Sequence, residues 1–255
     1  MFEFIKCLKL SSAFKYVVWR ALGRRYSVAL ELRSGGTFEL RGSSNRAGGD
    51  HNNDLGVAWE VFTTEVYRRT YAISPPPGKS MYIVDIGSNV GMSLVLWLNR
   101  FPNAIITAFE PHPSHRAQIR RNVELNRGVD RVEVIEAGAG STDRTIFLSD
   151  RGASSCEIKT GQGIETRVVD IFEKLSEKRI DLMKIDAEGA EFELLSDRRM
   201  ASLDVRALIV EWHKKSIDCG EPECIKYLVD SGFHVSVLES HEKNGMLWAT
   251  KIGLV

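Results

Sequence analysis

The eleven residues Met81-Tyr82-Ile83-Val84-Asp85-Ile86-Gly87-Ser88-Asn89-Val90-Gly91 limit the fold more than any other stretch of the chain. The first six are mostly apolar and rich in β-branched side chains, the Gly-Ser-Asn turn that follows frees the backbone, and Met92 to Arg100 reads as a helix. A buried strand that runs through a tight turn into a helix is the unit from which parallel α/β sheets are built. Ligands of such sheets sit at the carboxyl ends of the strands, where unpaired helix N–H groups face the crevice. Asp85 to Gly91 is therefore read as the floor of a cofactor pocket, with Asp85, Gly87, Ser88, Asn89 and Gly91 as its binding residues.

Spacing narrows the cofactor. A dinucleotide fingerprint needs glycine at its first, third and sixth positions, where this chain has Gly87, Asn89 and Met92. The Gly-Lys-Ser/Thr of a phosphate-binding P-loop is also missing. A glycine turn with an acid, Asp85, at the strand end suits a ligand without phosphate, such as S-adenosyl-L-methionine, a sulfonium with an amino-acid tail. The next apparent strand, Ala104 to Phe109, ends in Glu110, 23 residues past Gly87. That is near the roughly 20 expected of a carboxylate that grips ribose hydroxyls, so Glu110 is the predicted ribose ligand.

Four segments in this order also carry a family resemblance: Asp85-Ile86-Gly87-Ser88-Asn89-Val90-Gly91, Phe109-Glu110-Pro111-His112-Pro113, Met183-Lys184-Ile185-Asp186-Ala187-Glu188-Gly189-Ala190-Glu191 and Val210-Glu211-Trp212-His213. Over roughly residues 56 to 240 the chain resembles the FkbM-type methyltransferases, and the Lys-Ile-Asp-Ala-Glu-Gly-Ala-Glu block is the most specific part. The resemblance implies a class I methyltransferase fold: an α/β, Rossmann-like, mostly parallel sheet of seven strands in the order 3-2-1-4-5-7-6, with helices on both faces. It also implies methyl transfer from S-adenosyl-L-methionine, usually to hydroxyl oxygens of sugars or natural products. In this fold the loop after the third strand flanks the adenine, which makes Ala139 a predicted adenine contact.

Bulk properties restrict the alternatives. The chain has 255 residues, 43% of them hydrophobic, enough for one enlarged α/β domain with a full core. A formal net charge of zero removes the electrostatic argument for a nucleic-acid partner. The four cysteines, Cys7, Cys156, Cys219 and Cys224, are scattered and read as free thiols of a reducing compartment. No apolar run is long enough to span a bilayer, and the N-terminus lacks a signal peptide's pattern. The expected location is the cytoplasm, peripheral to a membrane if the N-terminal helix binds one. The oligomeric state is not legible.

Along the chain, an N-terminal extension (1–78) is expected to precede the cofactor-binding domain (79–255). Residues 1–25 hold six Lys or Arg against Glu3 alone, with Leu10, Phe14, Val17, Val18 and Leu22 at helical spacing. This basic amphipathic helix is expected to pack its apolar face on the domain; the other reading lays it on an anionic membrane surface or against a glycan-assembly partner. A hairpin over 27–41, a candidate cover for the substrate side, leads to a polar loop from Gly42 to Gly56 in which His51 and Asp54 are read as solvated. A helix over 57–71 ends at the Ser74-Pro75-Pro76-Pro77-Gly78 linker. Ser114 is expected to cap the helix after Glu110, and the Gly- and Ser-rich segment from Gly152 to Gly163 is a second candidate substrate loop.

Methyl transfer from a sulfonium is an in-line displacement, and an alcohol acceptor benefits from a general base. Two groups are placed for this: Asp186, after the fourth core strand, and His213, after the fifth. His213 is the favoured base because an imidazole titrates near neutrality. Asp186 could instead act as base, orient the acceptor or touch the methionine end of the cofactor. His112 is a third candidate that more readily shapes the adenosine pocket. Glu188 and Glu191 complement a helix dipole, and Asp186, Glu188 and Glu211 could also converge on a divalent ion, although no metal is assigned. The acceptor is expected to be a small-molecule or glycan hydroxyl. Asp186-Ala187-Glu188-Gly189 stands where many N-methyltransferases have a Pro-Pro-Tyr motif, which weakens that alternative. The third reading is a cofactor-holding scaffold without activity.

Overall fold

The computed structural model describes residues 2–24, 26–42, 53–75, 77–148, 163–214 and 219–251. The chain begins with helices α1 (Phe2–Cys7) and α2 (Leu10–Ala21), the hairpin β1 (Val28–Glu31) and β2 (Thr37–Leu40), and helices α3 (Asp54–Thr63) and α4 (Glu65–Arg68). Then come β3 (Tyr82–Ile86), α5 (Met92–Arg100), β4 (Ile105–Phe109), α6 (Pro113–Leu125), β5 (Val132–Ile135), β6 (Gly138–Gly140), β7 (Arg144–Leu148), β8 (Ile164–Asp170) and α7 (Ile171–Leu175). The last part holds β9 (Arg179–Ile180), β10 (Leu182–Ile185), α8 (Glu191–Ser196), β11 (Asp204–Val205), β12 (Ala207–His213), α9 (Glu221–Asp230), β13 (Phe233–Ser240) and β14 (Asn244–Lys251).

Seven strands form the central sheet in the order β13-β14-β12-β10-β3-β4-β5. Counted in chain order, this is the 3-2-1-4-5-7-6 arrangement of class I methyltransferases. The strands from β12 to β5 run parallel, and β14 lies antiparallel between β12 and β13. Successive strand residues point to opposite faces, so the apolar runs supply two cores. Ile83, Ile106, Leu182 and Ile209 belong to the core on one face, and Val84, Phe109, Met183 and Val210 to the core on the other. Each such side chain contributes about 1.5–3 kcal/mol on burial.

The N-terminal extension is continuous with the first core. Phe4, Leu8, Tyr16, Trp19, Leu30 and Phe38 share it with Trp97, Ile106 and Leu182. Helix α2 uses a different face from the one its periodicity suggests: Ser12, Tyr16 and Trp19 are buried, whereas Leu10, Phe14, Val17 and Leu22 are exposed. The two aromatics offer the larger apolar area, which decides the rotation of the helix. The hairpin braces α6 instead of covering a substrate: Thr37 N–H donates to Asn126 Oδ1 (3.0 Å) and Glu39 N–H to Asn122 Oδ1 (2.8 Å).

Other expectations shift locally. Asp54 opens α3 instead of lying in a solvated loop; it is buried and accepts from the Arg41 guanidinium through both carboxylate oxygens (2.6 and 2.9 Å). The expected 57–71 helix breaks at Thr64, whose ψ of 155° is extended. His112, not Ser114, caps α6, its Nδ1 accepting from Ser114 N–H at 3.3 Å. Asp170 caps α7 through Phe172 and Glu173 N–H. Cys7, Cys219 and Cys224 are free thiols. His51, Pro76, Cys156 and most of the 152–163 segment lie outside the described residues. Among the described residues no helix is long and apolar enough to cross a membrane.

Candidate active site

Strands β3, β4 and β10 end side by side, with Ile86 registered against Phe109 and Ile185. The loop after β3 then turns on Gly87, whose φ is 77° and whose position leaves no room for a side chain: a Cβ there would lie 1.7 Å from the Asp186 carbonyl oxygen. Asn89 also has positive φ (49°), a conformation costly for most residues, and its N–H donates to Glu110 Oε2 at 2.8 Å. Glu110 Oε1 accepts from His112 N–H (2.8 Å) and pairs with His115 Nδ1 (3.3 Å). The acid at the end of β4 thus holds the glycine loop across the strand ends.

Two cavities open there. The first, of about 310 Å³, is lined by Gly87, Asn89, Glu110, Ala139 and Asp186 among others, with an apolar side made by Ile86, Phe109, Ile146, Leu148 and Val168. Its cationic wall residue, Arg144, is engaged bidentately by Glu193 (2.8 and 2.7 Å). The second cavity, of about 280 Å³, is roofed by α3 and α4 through Val57, Glu60, Val61 and Tyr67, and floored by Ser88, Lys184, Asp186, Glu211 and His213. Gly87, Asn89, Asp186 and Glu188 line both.

Lys184 organises the floor. It sits in the middle of β10 with its side chain 4% exposed, and its ammonium donates to the Gly87 carbonyl (2.8 Å) and pairs with Asp186 (3.0 Å) and Asp85 (3.4 Å). Burial alone would lower its pKa, but the Asp186 and Asp85 carboxylates outweigh it and hold the ammonium charged. Asp85 is fully buried, accepts from Ser93 Oγ at 2.6 Å and lines neither cavity, so the structure moves it from the pocket floor to the support beneath it. Register explains this: Asp85 pairs with Lys184 on the adjacent strand, and both side chains point to the face covered by α3 and α4. Gly91, at the head of α5 with φ 81°, also lines neither cavity, and Ser88 lines the second alone.

The carboxylates around His213 alter its chemistry. Its Nδ1 meets Glu191 Oε1 at 3.2 Å, and its Nε2 lies 3.4 Å from Glu211 and 3.6 Å from Glu188. Burial pulls the imidazole pKa down, but the bonds to Glu191 and Glu211 and the charge of Glu188 override it and push it up to about 11. The expectation of a histidine that titrates near neutrality is therefore revised: in the ligand-free protein it is an imidazolium. Burial, reinforced by neighbouring acids, instead raises Glu188 to about 8 and Asp186 to about 6, the latter opposed by Lys184. His112 lines neither cavity.

The sequence reading gave no role to Lys184, Glu60 or Tyr67. A lysine inside the apolar run Leu182-Met183-Lys184-Ile185 is a legible sign of a buried, paired charge. Glu60 and Tyr67 carry no such sign, because only packing of α3 and α4 brings them over the strand ends.

The chain is similar in sequence to known methyltransferases. The chain is 27% identical over 218 residues to the methyltransferase sdnD of Sordaria araneosa, covering 69% of this chain and 81% of that one. It is 26% identical over 213 residues to the 31-O-demethyl-FK506 methyltransferase FkbM of Streptomyces tacrolimicus, covering 69% and 80%. Among solved structures, precorrin-6y C5,15-methyltransferase from Geobacter metallireducens superposes with a TM-score of 0.47 at 18% identity, covering 73% of this chain and 88% of that one. Residues 85–239, which include the glycine loop, Glu110, the Lys184–Glu191 block and His213, match the methyltransferase FkbM domain, and the chain belongs to that family of S-adenosylmethionine-dependent methyltransferases.

Proposed function

We propose that the protein methylates a hydroxyl oxygen of a sugar or other small molecule held in the second cavity, with the donor in the first. The observation that carries this is the shared wall of Gly87, Asn89, Asp186 and Glu188, through which a group can pass between two adjoining cavities. The first cavity fits S-adenosyl-L-methionine: it offers apolar side chains for an adenine, the Glu110 carboxylate for ribose hydroxyls, and an arginine already engaged by Glu193 instead of a phosphate site. When bound, the donor supplies an electrophilic methyl group, whose bond to sulfur breaks with the electron pair staying on sulfur as the acceptor oxygen attacks.

The protein's own residues perform the rest. Glu110 orients the ribose, Ala139 borders the adenine, and the loop from Gly87 to Asn89 presents backbone to the ligand. Asp186 stands at the junction of the cavities with Lys184 fixing its carboxylate, and positions the acceptor hydroxyl. The hydroxyl proton passes to the Asp186–Glu188 carboxylate pair, whose raised pKa values suit a general base near neutral pH. With no cation bound, His213 serves as a positive neighbour of these acids.

The test joins calorimetry with S-adenosylmethionine to transfer of a labelled methyl group onto a panel of hydroxylated acceptors. Glu110→Ala should weaken donor binding about 10- to 100-fold, the loss of charge-assisted hydrogen bonds. Glu188→Gln should keep donor affinity and lower turnover. Donor affinity untouched by Glu110→Ala, or label found only on nitrogen acceptors, would count against the proposal.

A further inference from the structure

We infer that Asp186, Glu211 and His213 form a binding site for one divalent cation of the manganese or magnesium type in the floor of the second cavity. The inference deepens the proposed methyl transfer and rests on it. Strands β10 and β12 run parallel with Ile185 opposite Val210, so Asp186 and Glu211 follow at adjacent strand ends, and His213, two residues on, shares Glu211's side of its strand. One ligand atom from each of the three lies within 4.8 Å of the others, all three residues are half-buried, and all line the same cavity. Asn244 orients the Glu211 carboxylate at 3.2 Å.

The histidine is set as a ligand would be. Its Nδ1 is bound by Glu191, a fully buried carboxylate itself fixed by the N–H groups of Ala187 and Gly189 (2.8 Å each), which leaves Nε2 aimed at the other acids. Metal-binding histidines characteristically give their second ring nitrogen to such a carboxylate. The lining points the same way: four acidic side chains (Glu60, Asp186, Glu188, Glu211) face this cavity against Lys184 and His213, and Lys184 is already shared between Asp85 and Asp186.

A separate observation points to an oxygen ligand. Tyr67 is 2% exposed and lines the cavity, yet among the described residues its hydroxyl has no hydrogen-bond partner. It is placed to receive a coordinated water or an acceptor oxygen. Binding would release the Nε2 proton of His213 to solvent; two carboxylates and the resulting imidazole leave open positions on a six-coordinate cation, enough for two neighbouring hydroxyls of a sugar-like acceptor. Coordination would orient the reacting oxygen and make its proton easier to lose.

The experiment is a titration of chelator-treated full-length protein with manganese, read by the electron paramagnetic resonance signal of the free ion. Uptake of one equivalent is expected, weakened at least about tenfold in Glu211→Gln and in Asp186→Asn, as for loss of a ligand, and retained in Glu60→Gln. The last variant alters a neighbouring acid of the same cavity without removing a ligand. Wild-type protein that takes up no manganese at millimolar concentration overturns the inference, and so does an equal loss in Glu60→Gln. Calorimetry with S-adenosylmethionine on the same samples separates the two readings: donor binding without manganese uptake removes the metal alone, whereas absent donor binding removes the methyl-transfer reading.

A second, independent observation concerns α2, whose outward face carries Leu10, Phe14 and Val17, 82%, 72% and 52% exposed. At positions i, i+4 and i+7 they form one stripe. Exposed Lys15 and Arg20 flank it on either side, and residues 2–24 hold five basic residues against Glu3 in a chain of zero net charge. An apolar stripe edged by cations suits the surface of an anionic membrane, where the stripe enters the headgroup boundary and the cations meet lipid phosphates. We propose that α2 docks there. The full chain should co-sediment with vesicles of phosphatidylcholine and phosphatidylglycerol but much less with phosphatidylcholine alone, and the triple variant Leu10→Glu, Phe14→Glu, Val17→Glu should lose the association. Equal partition onto both vesicle types or onto neither overturns the proposal, as does a sedimentation-velocity dimer abolished by the same variant, which would make the occupant a second copy.

Discussion

Lys184 carries a charge into the centre of a core strand, and the site's electrostatics depend on its two carboxylate partners. Lys184→Met would leave Asp85 and Asp186 facing each other without compensation, and removal of one member of a buried ion cluster costs about 3–5 kcal/mol. Urea unfolding of the variant should show a loss of that size; a change below about 1 kcal/mol would show that the cluster does not hold the strands together. Cys224 is buried in α9, where burial first, then the charges of Glu191 and Glu223, push its thiol up to about 12. The thiolate is the reactive form, and well below that value almost none exists. Iodoacetamide at neutral pH should spare Cys224 in the native protein and modify it in urea, as read by peptide mass spectrometry.

At the scale of elements, the glycine loop and α2 make opposite predictions about tolerance. Gly87→Ala would bring a methyl group within 1.7 Å of the Asp186 carbonyl in a left-handed backbone conformation, so the ends of β3 and β10 must part. Donor binding should be lost in calorimetry even where circular dichroism reports a folded protein; retained affinity would show that the two loops separate at little cost. In α2, Trp19 is 2% exposed and Phe14 72%. Trp19→Ala should cost about 3–5 kcal/mol and Phe14→Ala within about 0.5 kcal/mol in thermal or urea unfolding. Equal effects would mean that the helix is rotated from the orientation described.

Over the whole molecule, the extension and the sheet share one core, and α3 and α4 close the second cavity. Deletion of residues 1–26 would expose the surfaces that Phe4, Leu8, Tyr16 and Trp19 cover, and the truncated protein should unfold at a markedly lower temperature or aggregate in a calorimetric scan. A truncated protein with unchanged stability would reduce the first helices to an appendage. The same continuity explains how residues far from the family motifs in sequence come to line the second cavity. Glu60 and Tyr67 reach the strand ends because the hydrophobic face of α3, with Ala58, Val61 and Phe62, is drawn onto the sheet.

The sequence by itself determined the parts written in short-range patterns: the strand-turn-helix at Ile83 to Gly91, the spacing that sets Glu110 beside Asn89, the strand order implied by the family motifs, and the positions of Asp186 and His213 at neighbouring strand ends. The first two follow from local sterics and from the period of the strand, which act within a few residues, and the last two from the family resemblance. Only the tertiary structure decided which face each residue served. The β3–β10 register turned Asp85 inward to Lys184, the packing of Tyr16 and Trp19 turned Leu10 and Phe14 outward, and the meeting of three carboxylates around His213 made an expected base into a cation. Each outcome depends on burial and on charges contributed by distant segments, neither of which a local pattern contains.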